Sequence, residues 1–335
     1  MAAENGFWSN LSGLRLRARA ALLGAAFASL ATLPAMAQEV RTAVIRVDYP
    51  SLLPLSRLDL PTEDRAFAGA TLGTEDNATT GRFMGQTHET VTVATTPEDA
   101  LAAFERLVGD GYRLFVILAR EAELLAMADA YRASARNFGA RIVGEREFTD
   151  TGGSRVSDSG HVLVQRQLPV FMQNTARHDV VLAADATDYF AEYLPYNTWQ
   201  AAPVAGSAGL VPVTWAPTHE SRGATQLNTR FEKLTNRPMR DEDYQTWLAL
   251  RVIGEAVTRT GSADPAELRA CALGDAFTLA AFKGEPVTFR KWNGQMRQPI
   301  LLTNGRMTVS VSPQDGFLHQ RTLLDSLGLD QPESA

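Results

Sequence analysis

Cysteine is nearly absent from this 335-residue chain: Cys271 stands alone, so no intramolecular disulfide can form and the core has to hold itself. Positive charge is also in deficit. With 32 Lys and Arg against 38 Asp and Glu the formal charge is −6, and residues 1–37 carry three of those arginines and only one acid, so the remainder is more acidic still. An acidic surface repels phosphate backbones and anionic lipid, which argues against nucleic acid and against a membrane surface as partner. Catalytic signatures are lacking too: there is no G-x-S-x-G, no P-loop, no H-E-x-x-H and no G-x-G-x-x-G after a strand. The histidines, His88, His161, His178, His219 and His319, lie far apart and give no metal-ligand spacing. Cys271 sits in a helical stretch rich in Ala and Leu and reads as an inert thiol rather than a nucleophile. These absences point away from an enzyme, and no cofactor is expected. A hard cation held by Asp and Glu oxygens stays open, because such a site needs no local motif.

The one marked apolar run lies near the N-terminus. Arg15, Arg17 and Arg19 precede Ala20–Leu33, and the small-residue triplet Ala35-Met36-Ala37 follows. The run is shorter than the roughly 20 residues that span a bilayer and ends in a peptidase-type triplet, so it reads as a secretory signal with cleavage between Ala37 and Gln38. No two of these arginines are adjacent, which favours Sec export over the twin-arginine route and implies a periplasmic protein with no stable membrane insertion once the signal is gone.

From residue 38 onward short apolar runs alternate with helical patterns, the signature of an α/β chain with a parallel sheet. Val44–Val47, Leu114–Leu118 and Val180–Ala184 read as strands buried on both faces. Thr96-Pro97-Glu98-Asp99 predicts a helix start with Thr96 as cap and Ala100, Phe104, Leu107 and Val108 on one face. Asp264-Pro265-Ala266-Glu267 repeats that device. Toward the C-terminus Val287–Phe289, Pro299–Leu302 and Met307–Val311 read as strands joined by Asn293-Gly294 and Asn304-Gly305 turns.

Three stretches then carry a resemblance: LLPLSRLDLPTEDRAFAGATLGTEDNATTGRFMGQ at 52–86, DEDYQTWLALRVIGEAVTRTGSADPAELRACAL at 241–273 and FKGEPVTFRKWNGQMRQPILL at 282–302. Together they resemble type I periplasmic solute-binding proteins of ABC importers, the group that includes branched-chain amino-acid receptors. ADATDYFAEYLPYNTWQAAPVAGSAGLVPVTW at 184–215, with 222–234 and 311–330, resembles the subfamily associated with PQQ-dependent alcohol oxidation. The resemblance implies a two-lobed type I fold, with lobe one from 38–130 and 240–290 and lobe two from 131–239 and 291–335. It implies a small-molecule solute, ABC permease and ATPase subunits as partners, and a periplasmic quinoprotein dehydrogenase as a further partner. A non-transport accessory of such a dehydrogenase, or a receptor for a metal ion or metal complex, is the alternative.

In such a fold ligand sits where strand C-terminal ends from two lobes converge. That places Ser56, Arg57 and Asp59 on lobe one and Asp185, Asp188 and Tyr189 on lobe two, with Trp215, His219 and Glu220 completing a wall. Each has a structural alternative: Asp185 and Asp188 as helix caps, Tyr189 and Trp215 as core aromatics, Ser56 as a plain loop residue. Trp247, at helical spacing from Leu250 and Ile253, reads as core. Amino-acid receptors of the family hold the ligand ammonium with a carboxylate near the stretch matching Pro203–Gly206, and no acid stands there.

One departure from the family is visible. After Leu114–Leu118 a single helical stretch, 120–138, leads directly to Phe138–Val143, so a strand-helix-strand unit of about 30 residues is absent. One continuous helix bridging the lobes, an abbreviated lobe one and first crossover with fewer strands than usual, and weak or lost affinity are the expectations.

Overall fold

The computed structural model describes residues 38–49, 60–119, 123–149, 161–185 and 190–314. The ten apolar-rich residues of β1 (Gln38–Val47) form its first strand, longer than the sequence reading by Gln38 through Ala43. Helix α1 (Phe67–Met84) returns the chain to β2 (Gln86–Thr95), and α2 (Ala100–Gly109) returns it to β3 (Leu114–Leu118). The sheet is parallel in the order β2-β1-β3. β2 carries threonine at every second or third position and no continuous apolar run, which is why its sequence gives a weaker strand signal than β1.

β1 is buried on both faces, as its composition requires. Ala43 and Ile45 face Leu107, Tyr112, Phe104 and Phe115 on one side, while Val44 faces Ala70 and Leu250 on the other. The second layer is α1 packed on α6 (Asp241–Thr260). Their approach is close because glycine stands at the crossing points. A Cβ on Gly69 would lie 1.9 Å from the Asp243 carbonyl oxygen, and one on Gly254 would lie 2.1 Å from Asn77 Oδ1.

Helix α2 begins at Ala100, later than Thr96 suggests: residues 97–99 form a turn, and Thr96 Oγ1 accepts from Asp99 N–H at 3.4 Å. Its buried residues are Ala103 and Leu107, whereas Val108 lies at the exposed edge. Helix α3 (Glu123–Asn137) is the single helix expected between β3 and the glycine at 139, and the tyrosine hydroxyl of Tyr131 on it donates to Ala183 O at 3.3 Å. Residues 140–149 that follow have no regular structure, and Phe138, Ile142 and Val143 are exposed.

The remaining elements are α4 (His161–Phe171), β4 (Val181–Ala183), a 3-10 turn at Ala191–Tyr196, β5 (Val204–Gly206), β6 (Val211–Val213), α5 (Ala224–Thr235), α7 (Pro265–Ala272), β7 (Thr288–Phe289), β8 (Met296–Arg297), β9 (Ile300–Thr303) and β10 (Thr308–Ser312). β4 and β5 pair in parallel over a cluster of Val164, Leu168, Met172, Ala191 and Leu194. β6, β9 and β10 form an antiparallel sheet, and β7 pairs with β8. The Asn304-Gly305 turn forms as expected, with Asn304 Oδ1 accepting from Arg306 N–H and Met307 N–H and Gly305 at φ 82°. Asp264 caps α7 through bonds from Ala266 N–H and Glu267 N–H, both 3.0 Å, with Pro265 at the first turn.

The largest core holds Trp215, Leu227, Phe231, Met239, Tyr244 and Trp247 together with Leu72. Trp215 and α5 therefore pack with α1 and α6. The Trp247 side chain is core, as its spacing suggests. Among the described residues no helix is long and apolar enough to cross a membrane.

Candidate functional site

The C-terminal rim of the three-stranded sheet is built around charges. Arg46, in the apolar second half of β1, is buried and its guanidinium is held by protein groups. It makes a bidentate pair with Asp48 at 2.8 and 2.9 Å, donates to the Glu63 and Arg65 carbonyls and lies over the Phe67 ring. Arg65 also reaches Asp48 at 3.1 Å and pairs with Glu242 at 3.0 Å. The Arg46 guanidinium holds the Asp48 carboxyl below its ordinary value, whereas burial pushes Glu242 upward.

A second set continues this one at the start of α6. Asp243, fully buried, accepts a bidentate pair from Arg237 at 2.7 and 3.0 Å, and accepts from Ala66 N–H at 2.8 Å and Arg240 N–H at 3.0 Å. Ala66 lies in the left-handed region at φ 65° and opens α1, so a carboxylate from α6 caps a helix more than 170 residues upstream in the chain. Arg237 also holds Asp64 at 3.0 Å. Burial raises the Asp64 carboxyl, but hydrogen bonds from Thr62 and Arg237 outweigh it and the net direction is down. The network ties residues 60–66, where the chain returns from 50–59, to the first turn of α6. Arg46 was the visible signal, a lone cation inside an apolar run; the partners, far apart in sequence, carried none.

Of the nine candidates named by sequence, Ser56, Arg57, Asp59, Asp188 and Tyr189 lie outside the described residues. Asp185 follows β4 and is buried. Its Oδ2 accepts from Phe190 N–H at 2.8 Å and Ala191 N–H at 3.0 Å, and its own N–H donates to Ser207 Oγ at 2.8 Å. That is the capping arrangement: the carboxylate opens the 3-10 turn and binds β4 to the loop after β5. Trp215 is 1% exposed, stacks on Tyr244 at 4.4 Å and donates from Nε1 to Asn228 Oδ1 at 3.0 Å. His219 is 2% exposed, edge-on to Trp215, with Nε2 at 3.2 Å from Phe282 O; burial lowers its pKa. Glu220 is exposed. Trp215 and His219 are thus brought together, but inside the core, and as placed neither presents its ring to a cleft.

A further buried cation was not singled out by sequence. Lys283 Nζ donates to Thr214 O at 3.0 Å, Pro299 O at 2.8 Å and Gln298 Oε1 at 2.5 Å, and lies over the Tyr244 ring. Burial draws its pKa down to about 7. It joins the end of β6 to the start of β9 and has no free donor to offer a ligand. Among the described residues, no three His, Cys, Asp or Glu side chains are grouped to hold a metal ion. The rims therefore supply frames of charge pairs and backbone hydrogen bonds next to the segments 50–59 and 186–189.

No protein-family model matches this chain, and no curated protein matches it. Solved structures do. It is similar to the leucine-, isoleucine-, valine-, threonine- and alanine-binding protein from Brucella ovis in its closed conformation, at 11% identity and TM-score 0.56, over 79% of this chain and 89% of that one. It is similar to an amino acid ABC transporter substrate-binding protein from Pseudomonas fluorescens Pf-5, at 10% identity and TM-score 0.54, over 79% and 90%. A branched-chain amino acid ABC transporter structure from Rhodopseudomonas palustris CGA009 aligns at 13% identity and TM-score 0.53, over 81% and 96%. The fold is the two-lobed α/β fold of type I periplasmic binding proteins.

Proposed function

We propose that this protein is the periplasmic solute-binding component of an ABC importer, captured after Sec export and served by permease and ATPase subunits. The observation that carries the reading is the fold, reached along nearly the full length of three solute-binding relatives. The N-terminal signal pattern adds to it from an independent stretch of sequence. The lobe assignment proposed is 38–130 with 240–290, and 131–239 with 291–335, and the ligand contacts are proposed on the loops at 56–59 and 185–189.

The solute is proposed to lack an ammonium group. β5 ends at Gly206, and Ser207-Ala208-Gly209 follow without an acid to receive one. The finer reading, a solute linked to PQQ-dependent alcohol oxidation with a quinoprotein dehydrogenase nearby, rests on the phrases at 184–215, 222–234 and 311–330 alone.

A thermal-shift screen of the purified chain against alcohols, carboxylic acids, amino acids, PQQ and multivalent cations tests this. A receptor's melting temperature rises with ligand concentration, since a ligand at about 100 times Kd adds about 2.7 kcal/mol to stability. Alcohols or acids are expected to act and amino acids are not. Turnover of any of these compounds would contradict the reading, as would co-purification with a dehydrogenase and no response to any solute.

A further inference from the structure

The parallel sheet has two edges, and they are finished differently. β2, at one edge, carries His88, Glu89 and a threonine at every second or third position, the polar decoration that keeps an edge from pairing with another chain. β3, at the other, reads Leu-Phe-Val-Ile-Leu, with no charge, proline or bulge. Its inner side pairs with β1 from Thr42 to Arg46. On its outer side no described residue forms a ladder with it. Side chains on both faces touch the rest of the protein: Val116 and Leu118 pack with Val44, Ala70 and Leu250, and Phe115 packs on Phe104 at 4.6 Å between ring centres. Ile117, on the same face as Phe115, is 52% exposed. Among the described residues, β3 thus pairs on one side only, and its outer backbone groups stand at an apolar edge.

We propose that two copies of this chain associate through β3, antiparallel across a twofold axis, joining two three-stranded sheets into one of six. The sequence of the strand favours a second copy over another occupant because it is complementary to itself. With the axis at Val116, Leu114 stands opposite Leu118 of the second copy and Phe115 opposite Ile117. Every position meets an apolar residue, and the exposed isoleucine meets an aromatic ring, a favoured cross-strand pair. No charge is buried, since Arg113 falls outside the paired stretch and already donates to the Val108 and Tyr112 carbonyls. This proposal does not depend on the solute-binding reading.

Sedimentation equilibrium of the purified chain from the micromolar to the millimolar range is expected to give twice the chain mass at the upper end. Ile117→Lys, which places a charge on a side chain already half exposed, is expected to return the monomer mass with an unchanged circular dichroism spectrum. In a Cys271→Ser background, Val116→Cys is expected to oxidise to a disulfide-linked dimer, because the two copies of residue 116 face each other at the axis. Leu118→Cys, which faces Leu114, is expected to cross-link far less. A wild-type chain that stays monomeric throughout would overturn the proposal. So would a dimer that survives Ile117→Lys, or one that cross-links equally well from 116 and 118.

Discussion

At the scale of single residues, the buried charges set the most exposed predictions. Asp243 is fully buried and accepts four hydrogen bonds from Arg237, Ala66 and Arg240. Asp243→Asn leaves Arg237 half paired and removes a charge-assisted cap from α1, at a cost of about 3 to 5 kcal/mol. Urea denaturation measures this directly, and a loss under about 1 kcal/mol would mean that the pair is solvated. Lys283 predicts a pH dependence of definite sign. Its folded pKa is drawn down to about 7 from an ordinary 10.5, so between those values the unfolded chain holds the proton and the folded chain does not. Stability then rises with pH across that window, and the penalty of burying the ammonium is complete below it. The stability difference between wild type and Lys283→Met, measured by denaturation at neutral pH and again well above it, is expected to shift in favour of wild type as pH rises. A flat or falling difference would show that the three acceptors around Nζ keep the proton in place.

At the scale of elements, α1 and α6 approach through glycine. Gly69→Ala raises helix propensity by about 1 kcal/mol in an exposed helix, but here the added carbon would meet the Asp243 carbonyl at 1.9 Å. The backbone cannot yield as a side chain would, so a net loss of about 1 to 3 kcal/mol is expected, read as a fall in melting temperature; a rise would show that the helices can slide apart. The bounds of Leu114–Leu118 were legible in sequence to the residue, because an unbroken apolar run between polar residues marks a strand; its expected burial on both faces was not met, since all five residues are half-buried or exposed and Ile117 is open. The Asp264-Pro265 cap was legible for a similar reason, being a local device. The start of α2 was not, since Thr96 bonds Asp99 N–H in a turn before regular helix begins. Candidate site residues were the least legible part. Trp215 and His219 have the chemistry of a ligand wall, yet whether an aromatic faces a cleft or a core depends on which helix covers it, and α5 and α6 cover these. Asp185 serves β4 and its turn, a role its position at an element boundary already allowed.

At the scale of the whole molecule, the described residues place β3 at the edge of a three-stranded sheet and one helix, α3, after it, in line with the shortened crossover that the sequence departure implies. On the proposed reading, a cleft has less of lobe one to draw on than a complete type I receptor has, and weak affinity is the expected consequence. The two rims are nonetheless cross-linked by side chains: Arg46 with Asp48 and Asp243 with Arg237 at one, and Asp185 with Ser207 at the other. Calorimetric titration of the purified chain with the solute that most raises its melting temperature bears most directly on a solute-binding role. Saturable heat with one site per chain, and no chemical change in the recovered solute, is the predicted result. The absence of saturable heat with every solute class, or recovery of a transformed product, would contradict it.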